Sequence, residues 1–143
     1  MKIPDLNVLI YAVDRQAPDH DRAVQWWNAT LSGTETVGLA WSVLLGFVRL
    51  TTHPGVVRAP LSAAAALDYL DRWIAVNVAT VVEPTPRHTA VLRDLLGGTG
   101  TAGNLVADAH LAALAIEHGA ELCSADRDFG RFPGLSWRNP LGD

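Results

Sequence analysis

Residues 97-GGTGTAGNLVADAH-110 choose between two kinds of α/β fold. They contain Gly98-Thr99-Gly100-Thr101-Ala102-Gly103, a literal G-x-G-x-x-G. That pattern wraps backbone N–H groups around a pyrophosphate when it follows a strand and opens a helix. Here it follows 87-RHTAVLRDLL-96, whose apolar spacing is helical, and Gly97-Gly98 breaks that helix. Asn104 opens a second helix, 105-LVADAHLAALAIEH-118, with Gly119 placed as its C-cap. Half of the dinucleotide context is therefore missing. Gly103 is also followed by Asn104-Leu105, not by the Lys-Ser/Thr of a P-loop. The segment reads as a helix-to-helix connection that leads to Asp108.

Outward from this point, strands and helices alternate. Residues 2–4 read as a short strand, and 6-LNVLIYAVD-14 as a helix that Asp5 caps. An amphipathic helix, 19-DHDRAVQWWNATL-31, takes Asp19 as its cap and turns Trp26 and Trp27 inward. A strand is predicted around 35–38, then a helix 41-WSVLLGFVRLTT-52 ended by His53-Pro54-Gly55. Ser62 caps 63-AAAALDYLDRWIAV-76, and the β-branched run 78-VATVVE-83 reads as a buried strand. Pro86 starts the helix before the glycines; 120-AELCSA-125 and 135-LSWRN-139 complete the strands. This alternation implies one domain over residues 1–143, with a mostly parallel sheet of about 4–5 short strands covered on both faces.

Composition narrows the class. The chain has 143 residues, 49% apolar and 18% charged, with a net charge of −4. No run approaches the roughly 18 apolar residues of a membrane span. The N-terminus lacks the small-residue cleavage site of a signal peptide. The single Cys123 excludes an intrachain disulfide and fits a reducing cytoplasm. The acidic balance argues against a nucleic-acid partner held by bulk charge alone, although surplus carboxylates that hold metal ions are compatible with one.

The acids fall in a pattern. Asp5 directly follows the first strand, and Asp126 and Asp128 directly follow the strand 120–125. In a parallel sheet both loops open on the same edge. Asp108 lies in the first turn of its helix, one turn from Leu105, Leu111 and Ala112, so its carboxylate shares a flank with apolar neighbours. A carboxylate turned inward is costly without a cation or several donors. A hard divalent ion compensates several acids at once, and Mg²⁺ or Mn²⁺ prefers such oxygen ligands. Each acid also has a local role open to it: Asp5 as a cap, Asp126 or Asp128 in the turn before Phe129, Asp108 at a helix N-terminus.

The ordered segments IPDLNVLIYA, WSVLLGFVRLTTHP, GNLVADAHLAALAIEHGAEL and SADRDFGRFPGLSW resemble the PIN-domain ribonucleases, and among them the VapC toxins of toxin–antitoxin pairs. The resemblance spans nearly the whole chain. It implies a PIN-like three-layer α/β/α fold and a Mg²⁺-dependent endoribonuclease, with Mn²⁺ a possible substitute. It implies Asp5 and Asp108 as principal metal ligands, and products with 5′-phosphate and 3′-hydroxyl ends. Asp126 matches the first acid of the family's D-x-D-F-like segment and Asp128 the second; both are candidate catalytic carboxylates, and Asp126 ranks slightly ahead as the remaining metal ligand. A VapB-like antitoxin and a homodimer are implied as partners, besides the RNA substrate.

One departure stands out. Many members carry a Glu on the middle helix where this chain has Gly46, and Glu35, the nearest acid, precedes the preceding strand. That difference puts a two-metal mechanism in doubt and motivates an alternative, a catalytically weakened PIN-fold binding module. A nucleotide-binding enzyme built on the glycine loop is a third reading. Arg49, Arg127 and Arg131 are the candidate substrate contacts, while Asn7 and Ser124 remain without a role. The His residues at 20, 53, 88, 110 and 118 have no zinc spacing, no G-x-S-x-G is present, and Lys2 is the lone lysine.

Overall fold

The computed structural model describes residues 1–98 and 102–142. Residues 99–101, the centre of the G-x-G-x-x-G stretch, lie outside the described residues. The elements run β1 (Lys2–Pro4), α1 (Leu6–Val13), α2 (His20–Leu31), β2 (Val37–Ala40), α3 (Trp41–Thr51), α4 (Ala63–Ile74), β3 (Ala79–Val82), α5 (His88–Leu96), α6 (Leu105–Glu117), β4 (Glu121–Cys123), a 3-10 helix Arg127–Arg131, and β5 (Trp137–Arg138).

The strands form one parallel sheet in the order β3-β2-β1-β4-β5. The connections from β1 to β2 and from β2 to β3 step one way, and those into β4 and β5 step the other. Right-handed crossovers then put α1–α4 on one face and α5–α6 on the opposite face. This is the three-layer arrangement the sequence implies. The direction of winding reverses between β1 and β4, and a crevice opens outside the carboxyl ends of strands at such a point. Asp5 follows β1 and Asp126 follows β4, so the fold delivers both acids to that crevice.

Both faces of the sheet feed the core. Ile3, Leu39, Leu44, Phe47, Leu114, Leu122 and Phe129 are among its fully buried side chains. Trp27 packs edge-on to Trp73 with ring centroids 5.7 Å apart, while Trp26 is only partly buried. At Gly38, in β2, a Cβ would come within 3.0 Å of Ile3 and Met1 and 2.9 Å of Val82, so this crossing of strand and core admits no side chain. Cys123 is buried, and burial pushes its thiol up to about 12, which keeps it protonated and unreactive.

Several local expectations shift. The strand predicted at 35–38 is Val37–Ala40, buried along its whole length, because Glu35 remains outside in contact with the N-terminal amine and Lys2. The run 78–83 is not a buried strand but an edge strand, with Thr80 exposed and Val82 buried. Its β-branched residues pack one face and leave the other to solvent. Asp19 precedes α2 without a side-chain cap bond, and only its carbonyl accepts, from Ala23. Asp5 and Ser62 do cap α1 and α4. Gly119 ends α6 at φ 61, a conformation other residues adopt only at a cost. Among the described residues no helix is long and apolar enough to cross a membrane.

Candidate active site

Asp5 is fixed before any ligand arrives. Its N–H donates to the Cys123 carbonyl at 2.9 Å, the last backbone bond between β1 and β4. One carboxylate oxygen, Oδ1, accepts from the Leu6 N–H at 2.7 Å as the cap of α1. The other, Oδ2, accepts from the Ser124 hydroxyl at 2.6 Å. The local capping role and the convergent role thus coexist in one side chain. Burial pushes the Asp5 carboxyl above its ordinary value; these two hydrogen bonds oppose the shift, and the charge of Asp126 adds to it.

Ser124, fully buried just after β4, is the hub. Its oxygen donates to Asp5 and accepts from the Asp126 N–H at 3.0 Å and from Asn7 Nδ2 at 3.2 Å. Asn7 Oδ1 in turn accepts from the Ala125 N–H at 3.2 Å, and Trp137 Nε1 donates to the Ser124 carbonyl at 3.0 Å. The loop after β4 is therefore stitched to the start of α1. Sequence reasoning left Asn7 and Ser124 without a role. Their only signal was position: each lies within two residues of an acid, Asn7 at the start of α1 and Ser124 just after β4, more than a hundred residues apart.

Asp108 approaches from α6, on the other face of the sheet. Burial raises its carboxyl above the ordinary value, the charges of Asp5 and Asp126 raise it further, Arg131 lowers it, and Asp128 raises it. These groups share one electrostatic field. Asp126 is half-buried, and its Oδ1 accepts from the Asp128 N–H at 2.9 Å, opening the 3-10 helix. Asp128 is different: its side chain is 68% exposed and faces Arg131 at 3.0 Å. Of these two acids, of which the sequence reading ranks Asp126 slightly ahead, Asp126 is the half-buried one and Asp128 the exposed one.

The position of the missing acid is filled. A Cβ on Gly46 would meet Leu6 Cδ2 at 2.9 Å, so Leu6, the residue after Asp5, covers α3 there. Glu35 cannot replace it, since its partners are Met1 and Lys2 at the amino end of the sheet. Arg49 is exposed on α3. The glycine stretch follows helix α5, as the sequence reading requires, and Gly103 has a positive φ of 47.

A second polar cluster, between α5 and α6, was not foreseen. The Glu117 carboxylate, fully out of solvent, accepts from the Thr85 N–H at 2.9 Å and the Thr85 hydroxyl at 2.6 Å, and it contacts His88 Nδ1. His88 Nε2 meets His110 Nδ1 at 2.9 Å. Screening the histidines for zinc spacing could not find this cluster, because its order is carboxylate–imidazole–imidazole across two helices. A cavity of about 320 Å³ lies elsewhere, at the far ends of α1 and α3, lined by Val13, Arg15, Thr51 and Tyr69 among others. It is remote from the acids.

Among the described residues, no three His, Cys, Asp or Glu side chains are gathered tightly enough to hold a metal ion as placed. The donor chemistry of the crevice nevertheless fits a hard divalent cation. Asp5, Asp108 and Asp126 offer carboxylate oxygens without thiol or imidazole. Burial and the charges of neighbouring acids disfavour the ionised forms of Asp5 and Asp108, which a cation would relieve.

Comparison with known proteins follows the same line. The family model described as PIN domain matches residues 2–135. Ribonuclease VapC37 of Mycobacterium tuberculosis is 48% identical over 140 residues, spanning 98% of this chain and 97% of that protein. Ribonuclease VapC33 of the same species is 42% identical over 141 residues, spanning 99% of each. Among solved structures, the Rickettsia felis VapBC2 complex bound to a promoter DNA fragment superposes with a TM-score of 0.68 at 20% identity, over 96% of this chain and 97% of the other. The M. tuberculosis VapC20 toxin, which cleaves the sarcin-ricin loop, gives 0.67 at 19% identity, over 95% and 99%. At such identities these two structures speak for the fold alone.

Proposed function

The chain belongs to the PIN domain family, alongside the VapC ribonucleases, and from that premise we propose that it is a Mg²⁺-dependent endoribonuclease toxin. The observation that carries the reading is that the charges of Asp5 and Asp126 both act on Asp108 beside the winding reversal of the sheet, with Asp5 locked by Ser124 and Leu6. Asp5, Asp108 and Asp126 would hold Mg²⁺, or Mn²⁺ in its place. When bound, such an ion neutralises charge on a phosphodiester and makes a coordinated water more acidic. The protein's own part is orientation. Ser124 and Leu6 keep both Asp5 oxygens in one rotamer, Ser124 and Asn7 fix the loop bearing Asp126, and α6 brings Asp108 from the opposite face.

A VapB-like antitoxin is the proposed partner, by analogy with the VapBC2 complex that shares this fold, and a second copy of this chain is proposed as another. A second reading rests on Gly46: with Leu6 covering that position, the chain lacks one acid and acts as a binding module with weak catalysis. One experiment separates the two. RNA pools are incubated with wild type and with Asp5→Asn, in EDTA and in Mg²⁺ or Mn²⁺. The nuclease reading requires cleavage that depends on the metal and is lost in Asp5→Asn. Equal cleavage by both proteins removes Asp5 from the mechanism, and RNA binding without cleavage by wild type favours the binding module.

A further inference from the structure

We propose that Asp128 is a positioning residue, which holds Arg131 at the rim of the acidic crevice as an arm for an RNA phosphate. The proposal rests on the ribonuclease reading above and assigns the two residues that reading leaves unused. The 3-10 helix that carries them cannot swing freely, because Phe129 and Phe132, on either side of Arg131, are both buried in the core. Asp126 accepts the Asp128 N–H, which leaves Asp128 on the outer side of the turn. Asp128 then holds Arg131 at two points: its backbone carbonyl accepts from Arg131 Nε at 3.0 Å, and its carboxylate Oδ2 faces Nη2 at 3.0 Å. The guanidinium also stands 6.0 Å from the centre of the Phe132 ring.

The exposed ion pair alone adds little to stability; together with the Nε bond to the Asp128 carbonyl and the buried Phe129 and Phe132 it orients an otherwise flexible side chain. The charge of Arg131 is felt at Asp108, where it opposes the carboxylates around it. A crevice lined with acids repels a polyanion, and a fixed guanidinium at its edge offsets that repulsion. Its planar fork matches phosphate oxygens, and only two of its five N–H donors are taken by Asp128. Asp128 itself is mostly exposed and already committed to Arg131, unlike Asp5, whose two oxygens accept from the Leu6 N–H and the Ser124 hydroxyl.

The test has two readouts: binding of a labelled single-stranded RNA oligomer in an Asp5→Asn background, and Mg²⁺-dependent cleavage with kcat and KM resolved. Arg131→Ala should weaken binding and raise KM by about tenfold, with a smaller change in kcat. Asp128→Ala should reproduce part of that loss, Asp128→Asn should restore it because its amide oxygen still accepts from Nη2, and the Asp128→Ala/Arg131→Ala pair should be no worse than Arg131→Ala alone. Unchanged KM and binding in Arg131→Ala, with active wild type, overturn the arm and leave the nuclease reading standing. Loss of kcat in Asp128→Asn as complete as in Asp126→Asn makes Asp128 a ligand and overturns its positioning role. Binding that depends on Arg131 without any cleavage by wild type upholds the arm while the nuclease reading fails. If wild type neither binds nor cleaves RNA, both fall.

Discussion

Glu117→Ala should be the most destabilising single truncation outside the apolar core. The carboxylate is fully buried and accepts from the Thr85 N–H, the Thr85 hydroxyl and His88. Hydrogen bonds to a charged group contribute ~1.5–3 kcal/mol each, and truncation leaves their donors facing a void. Partial rehydration of His88, 14% exposed, returns some of this. The net loss should be about 3–4 kcal/mol, within the range for breaking a buried pair by removing one partner. For a chain of this length that corresponds to a drop in Tm of ~10 °C. Glu117→Gln should lose far less, about 1 kcal/mol, since its oxygen still accepts from Thr85 and its amide donates to a His88 of reversed tautomer.

The penalty must also depend on pH. Burial pushes the Glu117 carboxyl up, but the hydrogen bonds from Thr85 and His88 outweigh it and hold the group below its ordinary 4.5. The unfolded chain therefore binds more protons than the native one between the folded value and 4.5. The stabilisation is complete above 4.5 and is lost as pH falls through the folded value. His110 acts in the same sense: burial, then the charge of His88, hold it below its ordinary 6.5, against the pull of Glu117. Stability from His110 is present above 6.5 and declines as pH falls. Urea unfolding of wild type, Glu117→Ala and Glu117→Gln at pH 7 and pH 4 measures both effects. A Glu117→Ala penalty under 1 kcal/mol at pH 7, or one that does not shrink at pH 4, would refute the reasoning.

Three further outcomes follow from the site. Asp108→Asn should stabilise the metal-free protein by ~0.5–2 kcal/mol at pH 7 and abolish any rise in Tm on adding Mg²⁺. Its raised carboxyl means that the native state binds more protons above 3.8, so its ionisation destabilises the fold increasingly as pH rises; a less stable Asp108→Asn protein in thermal melts contradicts this. Ser124→Ala should lower Mg²⁺ affinity or cleavage ~10–100-fold by freeing Asp5 and Asp126, as read by metal titration of the Tm and by initial rates, and unaltered values would remove Ser124 from the positioning network. Gly46→Ala should stay within ~1 kcal/mol of wild type, because the helix-propensity gain offsets displacement of the flexible Leu6 terminus, and a larger loss in urea melts would show that Leu6 cannot yield.

Local chemistry was legible in the chain. The strand–acid–helix order at Asp5, the Ser62 cap, the Gly119 stop and the placement of the glycine stretch between two helices all depend on neighbours within a turn, where residue type alone sets the backbone. The same locality explains the errors. Asp19 has cap chemistry but no cap bond, and the β-branched run at Ala79–Val82 looks the same in sequence whether the sheet continues past it or ends there.

The sequence by itself determined the alternation of strands and helices, the positions of Asp5, Asp108, Asp126 and Asp128, and the absence of an acid at Gly46. Only the tertiary structure decided which of these meet. Ser124 reaches Asp5 across 119 residues of chain, Glu117 reaches Thr85 across 32, and Asp128 turns away to Arg131. Such contacts follow from sheet order, crossover handedness and side-chain rotamers. No spacing along the chain encodes these, because each is fixed by the packing of elements against partners remote in sequence.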